Sequence, residues 1–140
     1  MDERCRLCGA DAADGADAAG ERVCAVCGWR VGDVPDPDLP LPVVEVVYYI
    51  RWGDRVKIGT SRQPRRRLAV LWHEELLAFE RGGRMRERER HVEFADLRLG
   101  GEWFAAEPRL LAHIARVAEA GGAADPWHVY ARWLADALRG

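Results

Sequence analysis

Apolar residues fall along this chain in blocks of distinct period, and each block predicts a different element. Val43, Val44, Val46, Val47, Tyr48, Tyr49 and Ile50 are β-branched or aromatic and almost uninterrupted, the pattern of a strand covered on both faces. Trp52-Gly53-Asp54 reads as a turn, with glycine free to take positive φ. Arg55 to Thr60 completes an antiparallel hairpin that makes Tyr48 and Lys57 cross-strand neighbours. Pro64 opens a helix with Leu68, Leu71 and Trp72 as its apolar stripe. Leu76 to Phe79 predicts a third strand, and Gly82-Gly83 breaks the chain. Arg84 to Arg98 reads as a helix with two stripes. Met85, Val92, Ala95 and Leu99 are expected to face the core, and Glu87, His91, Phe94 and Arg98 to run beside them. Pro108 starts an amphipathic helix with Leu110, Leu111, Ile114 and Val117 on one face, ended by Gly121-Gly122. Asp125-Pro126 signals a last helix, striped by Trp127, Tyr130, Trp133, Leu134 and Leu138.

The N-terminal residues carry no such periodicity and need another source of order. Cys5-x-x-Cys8 and Cys24-x-x-Cys27 contain every cysteine of the chain. Their spacing, with Gly9 and Gly28 after each pair, points to a structural zinc. Two disulfides or a redox pair are the competing readings, and a cytoplasmic setting opposes the first. Four thiolates leave no open coordination position, so this zinc is not expected to be catalytic. Residues 32–42 hold four prolines and three aspartates and read as a stiff linker. The expected organisation is a zinc-ribbon-like module at 1–31, a linker at 32–42, an α+β domain at 43–118 and a helical extension at 119–140.

The net charge of −2 hides an asymmetry. Residues 1–44 carry nine acidic and four basic side chains, whereas residues 45–106 carry ten acidic and thirteen basic. A polyanionic partner is therefore expected at the second segment. Arg65, Arg66 and Arg67 are read as crowding the first helical turn, where the backbone already favours anions. Together with Arg62 they form a candidate nucleic-acid-binding strip, with a solvated face as the alternative for Arg65 and Arg66. Of 21 basic residues only Lys57 is lysine, so a composition that favours arginine has kept one compact, titratable ammonium. No apolar run could span a membrane, and the Met1-Asp2-Glu3 start gives no signal peptide. A cytoplasmic location is expected.

Val47-Tyr48-Tyr49-Ile50, Val56-Lys57-Ile58-Gly59, Arg67, Glu87-x-x-x-His91 and Gly101-Glu102-Trp103-Phe104 together resemble the GIY-YIG nuclease superfamily. The likeness is to the phage-borne and meiotically-up-regulated-gene branch, whose second signature reads Lys-Ile-Gly, and it covers roughly residues 45–115. Two positions depart from the superfamily pattern: Val46 replaces the first glycine, and Lys57 replaces the second tyrosine.

The resemblance implies a three-stranded antiparallel sheet flanked by helices and a metal-dependent endonuclease acting on DNA, with RNA left open. It implies Tyr48 as general base, with Tyr49 as the fallback, and Lys57 stabilising the phenolate. Arg67 would neutralise charge on the phosphate, Glu87 would hold Mg²⁺ or Mn²⁺, and His91 would orient Glu87 or a water. The alternative is a catalytically inactive nucleic-acid-binding or protein-interaction module, with a protein partner at the zinc module or the last helix.

Overall fold

Between the two cysteine pairs the chain makes only a short ladder, β1 (Gly15–Ala16) against β2 (Arg22–Val23). Ala/Asp/Gly-rich sequence offers too little apolar surface for more. Residues 32–42 form neither helix nor strand, and Val34, Leu39 and Leu41 lie exposed there. The computed structural model describes residues 4–139; the Met1-Asp2-Glu3 start and Gly140 lie outside the described residues.

The apolar block becomes β3 (Val46–Trp52), paired antiparallel with β4 (Arg55–Ser61) across the expected turn, where Gly53 has φ 60°. Val46 to Ile50 are buried to 1% exposure or less, as a doubly covered strand requires. The chain continues through α1 (Pro64–Val70), β5 (Glu75–Arg81), α2 (Arg84–Glu93), a 3₁₀ turn at Ala95–Leu97, β6 (Arg98–Gly100), β7 (Trp103–Ala105), α3 (Pro108–Ala120) and α4 (Pro126–Arg139). The sheet runs β5-β3-β4-β7-β6, with every pairing antiparallel. It has five strands where three were expected. β6 and β7 are three residues each, too short for an alternating pattern to show in the sequence.

Val47, Tyr49, Val56, Ile58, Ala78, Phe94, Phe104, Leu110 and Ile114 make the main core, with α3 supplying the last two. Two further expectations are corrected. α2 stops at Glu93, and Met85, Val92 and Leu99 are 82%, 71% and 55% exposed, so the stripe assigned to the core faces solvent. The neighbouring strip turns inward instead, ending on Phe94 at 1% exposure. An Arg/Glu-rich helix offers two weak stripes, and one buried phenylalanine outweighs several partial contacts. On α1 only Pro64 and Leu68 are buried; Trp72 lies past the helix and is exposed. Because α1 is seven residues long, Arg67 falls in its last turn, where the backbone favours a cation.

The chain folds as two compact units, Val43–Pro126 and Met1–Pro42 with Trp127–Gly140. Within the second unit, α4 packs on the cysteine module. Ala131 and Ala135 share a cluster with Cys24, Cys27 and Trp29. The Arg132 guanidinium donates to the Val26 carbonyl at 2.7 Å, and that of Arg139 donates to the Gly28 carbonyl at 2.8 Å. No helix among the described residues is long and apolar enough to cross a membrane.

Candidate active site and metal-binding cluster

Strand alternation sends Tyr48 and Tyr49 to opposite faces of the sheet. Tyr48 stands opposite Gly59. A Cβ at position 59 would lie 2.4 Å from the Tyr48 hydroxyl oxygen and 2.5 Å from Cζ. Only glycine lets that ring lie across the neighbouring strand, which is the local reason for the Ile-Gly dipeptide.

Tyr48 lines a cleft of about 1320 Å³ together with Thr60, Arg67, Glu87, His91 and Glu102. Arg84, Arg88 and Arg98 add positive charge to its wall. Four of the five residues named as catalytic from the sequence thus meet at one opening. Glu87 is on the first turn of α2, and His91 follows one turn later, with Nε2 3.8 Å from Glu87 Oε1. The same Nε2 lies 2.8 Å from the Ile58 carbonyl oxygen, to which it donates, and the ring sits 5.1 Å from Phe104. His91 is therefore anchored to β4 and β7 beside Glu87.

Lys57, the fifth, stands opposite Ile50 and is a diagonal neighbour of Tyr48. Its ammonium is 3.8 Å from Glu102 Oε2 and 5.9 Å from the Trp103 ring centroid. It meets the cleft lining at Glu102.

Glu102 was quoted in the signature but given no role from sequence, and it proves central to the electrostatics. Burial and then the Glu102 carboxylate push the Glu87 carboxyl above its usual range. Burial, then Glu102, and more weakly Glu87 push the Tyr48 phenol up to about 12, against the lowering effect of Arg67. Two neighbouring carboxylates beside a buried phenol leave negative charge that a cation would relieve.

A second groove, of about 770 Å³, shares Thr60, Arg67 and Arg84 with the first and adds Arg62 and Arg66. Arg65 lines neither groove. On the far face of the sheet the Tyr49 hydroxyl donates to Glu80 at 2.8 Å and lies 3.1 Å from His113 Nε2. Arg90 grips the same Glu80 carboxylate at 3.0 and 2.5 Å. Sequence reasoning missed this polar network, because its members sit 31 and 64 residues from Tyr49.

The four cysteine sulfurs lie within 4.8 Å of one another. Cys5 and Cys27 sulfurs are 3.5 Å apart, and those of Cys8 and Cys24 are 3.7 Å apart. A disulfide needs about 2.05 Å, whereas a tetrahedron with metal–sulfur bonds of about 2.3 Å puts its corners about 3.8 Å apart. The backbone N–H groups of Leu7 and Cys8 point at Cys5 Sγ, and Gly9 and Gly28 take φ 79° and 80° to close the two knuckles. The donor set fits a structural metal such as zinc. Among the described residues it is the one group of three or more His, Cys, Asp or Glu ligands that converges in this way.

No protein-family model, curated protein or solved structure matches this chain.

Proposed function

We propose that the chain is a metal-dependent endonuclease of GIY-YIG type that hydrolyses phosphodiester bonds in DNA. The observation that carries the reading is the meeting of Tyr48, Arg67, Glu87 and His91 at one cleft with a second carboxylate, Glu102, beside them. Glu87 and Glu102 would hold Mg²⁺ or Mn²⁺, a cation that commonly takes one or two carboxylates and completes its shell with water and phosphate. When bound it supplies Lewis-acid neutralisation of charge on the phosphate.

The remaining work falls to the protein's own groups. Arg67 meets the phosphate oxygens, and Arg62, Arg66 and Arg84 hold the flanking backbone. Tyr48, once its own proton has passed to solvent, takes the proton of the attacking water as the phenolate. With the carboxylates charged its phenol is protonated at neutral pH, since burial, then Glu102 and more weakly Glu87 raise it. Neutralising those carboxylates removes two of the causes that oppose the phenolate, leaving burial against Arg67. His91, fixed by the Ile58 carbonyl, keeps Glu87 in place. The cysteine cluster is a structural zinc site in this reading, kept out of the chemistry by its closed ligand set.

The second reading is a nucleic-acid-binding or protein-interaction module without catalysis. The Tyr48 phenol at about 12 is what favours it. Nicking of supercoiled plasmid in Mg²⁺ or Mn²⁺, with matched RNA as a parallel substrate, separates the two. Glu87→Gln should slow cleavage roughly a thousandfold, the weight of a Lewis acid worth several kcal/mol, while DNA binding persists. Binding without cleavage by the wild-type chain in either cation would establish the second reading.

A further inference from the structure

Three tryptophans outside the cleft lining have no part in the chemistry just described. Trp52 ends β3, Trp72 follows α1, and Trp103 lies on β7. Trp52 is 50% exposed and Trp72 is 68% exposed. Their rings meet edge to face at 4.9 Å, and Trp52 meets Trp103 at 6.5 Å. A cluster serving only the core would bury these rings; two neighbouring indoles left in water mark a contact surface.

The register ties this cluster to the active-site side of the sheet. Tyr48, Ile50 and Trp52 alternate onto one face, and Lys57 stands opposite both Ile50 and Trp103. The ammonium of Lys57 bridges Glu102 at the cleft to the Trp103 ring. Tyr48 and Trp52 are four residues apart on one strand, a span of roughly 13 Å. Phosphate-binding charge is supplied nearby by the arginine groove that shares Arg67 and Arg84 with the cleft.

We propose that Trp52, Trp72 and Trp103 form a stacking platform for unpaired nucleobases, so that the substrate is single-stranded beside the scissile phosphate. The inference rests on the nuclease reading and narrows its substrate class. Aromatic faces bind bases whatever their sequence, provided the base is free of its own stack, while a basic groove tracks the phosphates. A fully paired duplex offers the grooves its phosphates and keeps its base faces to itself.

The test is fluorescence anisotropy of the full chain, in buffer without Mg²⁺ or chelator, on three labelled DNAs: a single strand, the same strand with abasic positions, and its duplex. The single strand should bind more tightly than the abasic strand, which keeps every phosphate. Trp72→Ala and Trp52→Ala should each weaken the single strand about tenfold, the weight of one stacked base, and leave the duplex unchanged. Trp72→Phe should restore most of the loss, and unchanged melting of each variant shows that the fold is intact. With Mg²⁺ added, a flapped DNA should be cut faster than a fully paired one. Equal affinity for normal and abasic strands, or equal loss on single strand and duplex, overturns the platform. If such a protein still cuts DNA in a Glu87-dependent way, the nuclease reading stands without the platform. If it neither binds nor cuts any of these DNAs, the nuclease reading falls first and the platform falls with it.

Discussion

In the sheet unit, Val47, Tyr49, Val56, Ile58, Phe94, Phe104, Leu110 and Ile114 are all at 4% exposure or less. In the cysteine unit the buried cluster is Cys24, Cys27, Trp29, Ala131 and Ala135, with only partly buried neighbours around it. The first set removes large aliphatic and aromatic groups from water and can stabilise itself. The second contains one large side chain and two thiols, and at this size an apolar core alone is marginal. Charge divides the same way. Residues 43–126 carry thirteen acidic and fifteen basic side chains, whereas the rest of the chain carries ten acidic and six basic. One unit is built from apolar burial and carries a basic excess; the other is acidic and gathers four cysteines that could hold a metal.

That contrast breaks most sharply by removing the metal. Metal binding at such a site contributes about 10–16 kcal/mol of apparent folding free energy. Chelation, or Cys27→Ala, should therefore abolish amide protection in residues 4–42 and also in α4, which follows them by more than eighty residues yet shares their core. Protection across residues 43–126 should persist. Hydrogen exchange with mass spectrometry reads both at once, and α4 remaining protected after metal loss would show that its packing on the module is self-sustaining. Burial pushes the Cys8 thiol up to about 11 when no metal is present, so metal uptake should release protons and strengthen as pH rises.

The next effect is smaller and confined to the sheet unit. Tyr49→Phe removes a hydroxyl that serves Glu80 and His113 inside the core. It should cost about 1–3 kcal/mol, the penalty of leaving buried polar groups short of a partner, and leave metal content unchanged. The pH profile sharpens the assignment. Burial, then Arg90, holds the His113 pKa below 6.5, so the folded chain keeps it neutral and stability should fall as pH drops below 6.5. Glu80 adds to the acid loss. Burial pushes its carboxyl up, but hydrogen bonds from Arg90 and Tyr49 outweigh that and hold it below 4.5, so its contribution fades as pH falls through that lower value. Burial raises Tyr48 and Tyr49 above 10, so their contribution is complete below pH 10 and lost as pH rises further. Tyr49→Phe should blunt that alkaline loss. Denaturant midpoints between pH 4 and 11 check both limbs.

The same two units differ in how much of them was readable beforehand. The hairpin was legible because β-branched density and a glycine turn fix it locally, and Tyr48 and Gly59 follow from its register. The cysteine cluster was legible because four ligands at fixed spacing leave few alternatives. What escaped has distant partners. The inward face of α2 depends on Phe94 meeting α3 residues, and helix periodicity alone could not choose between its two stripes. β7 exists only as a pairing to β4 and β6 only as a pairing to β7, and β7 follows directly on Glu102, the carboxylate that shapes the site. The role of α4 depends on alanines packing against cysteines a hundred residues earlier. Small residues carry little signal when a stripe of tryptophans runs beside them.

The smallest expected effect tests the charge difference between the units at single-residue resolution. Arg65 and Arg66 are neighbours in sequence and equal in charge, but only Arg66 lines the groove continuous with the cleft. Each phosphate neutralised by a side chain contributes about 0.7 to 0.9 to the slope of log affinity against log salt. Arg66→Gln should therefore flatten that slope by about one phosphate's worth and weaken binding alike on every sequence, since phosphate contacts carry no base information. Arg65→Gln should leave the slope unchanged. Binding isotherms from low to moderate salt on two unrelated DNA sequences read the difference. Equal slopes for the two variants would mean that the basic character of residues 43–126 acts as a diffuse field and not through this groove, and the path assigned to the substrate would have to be redrawn.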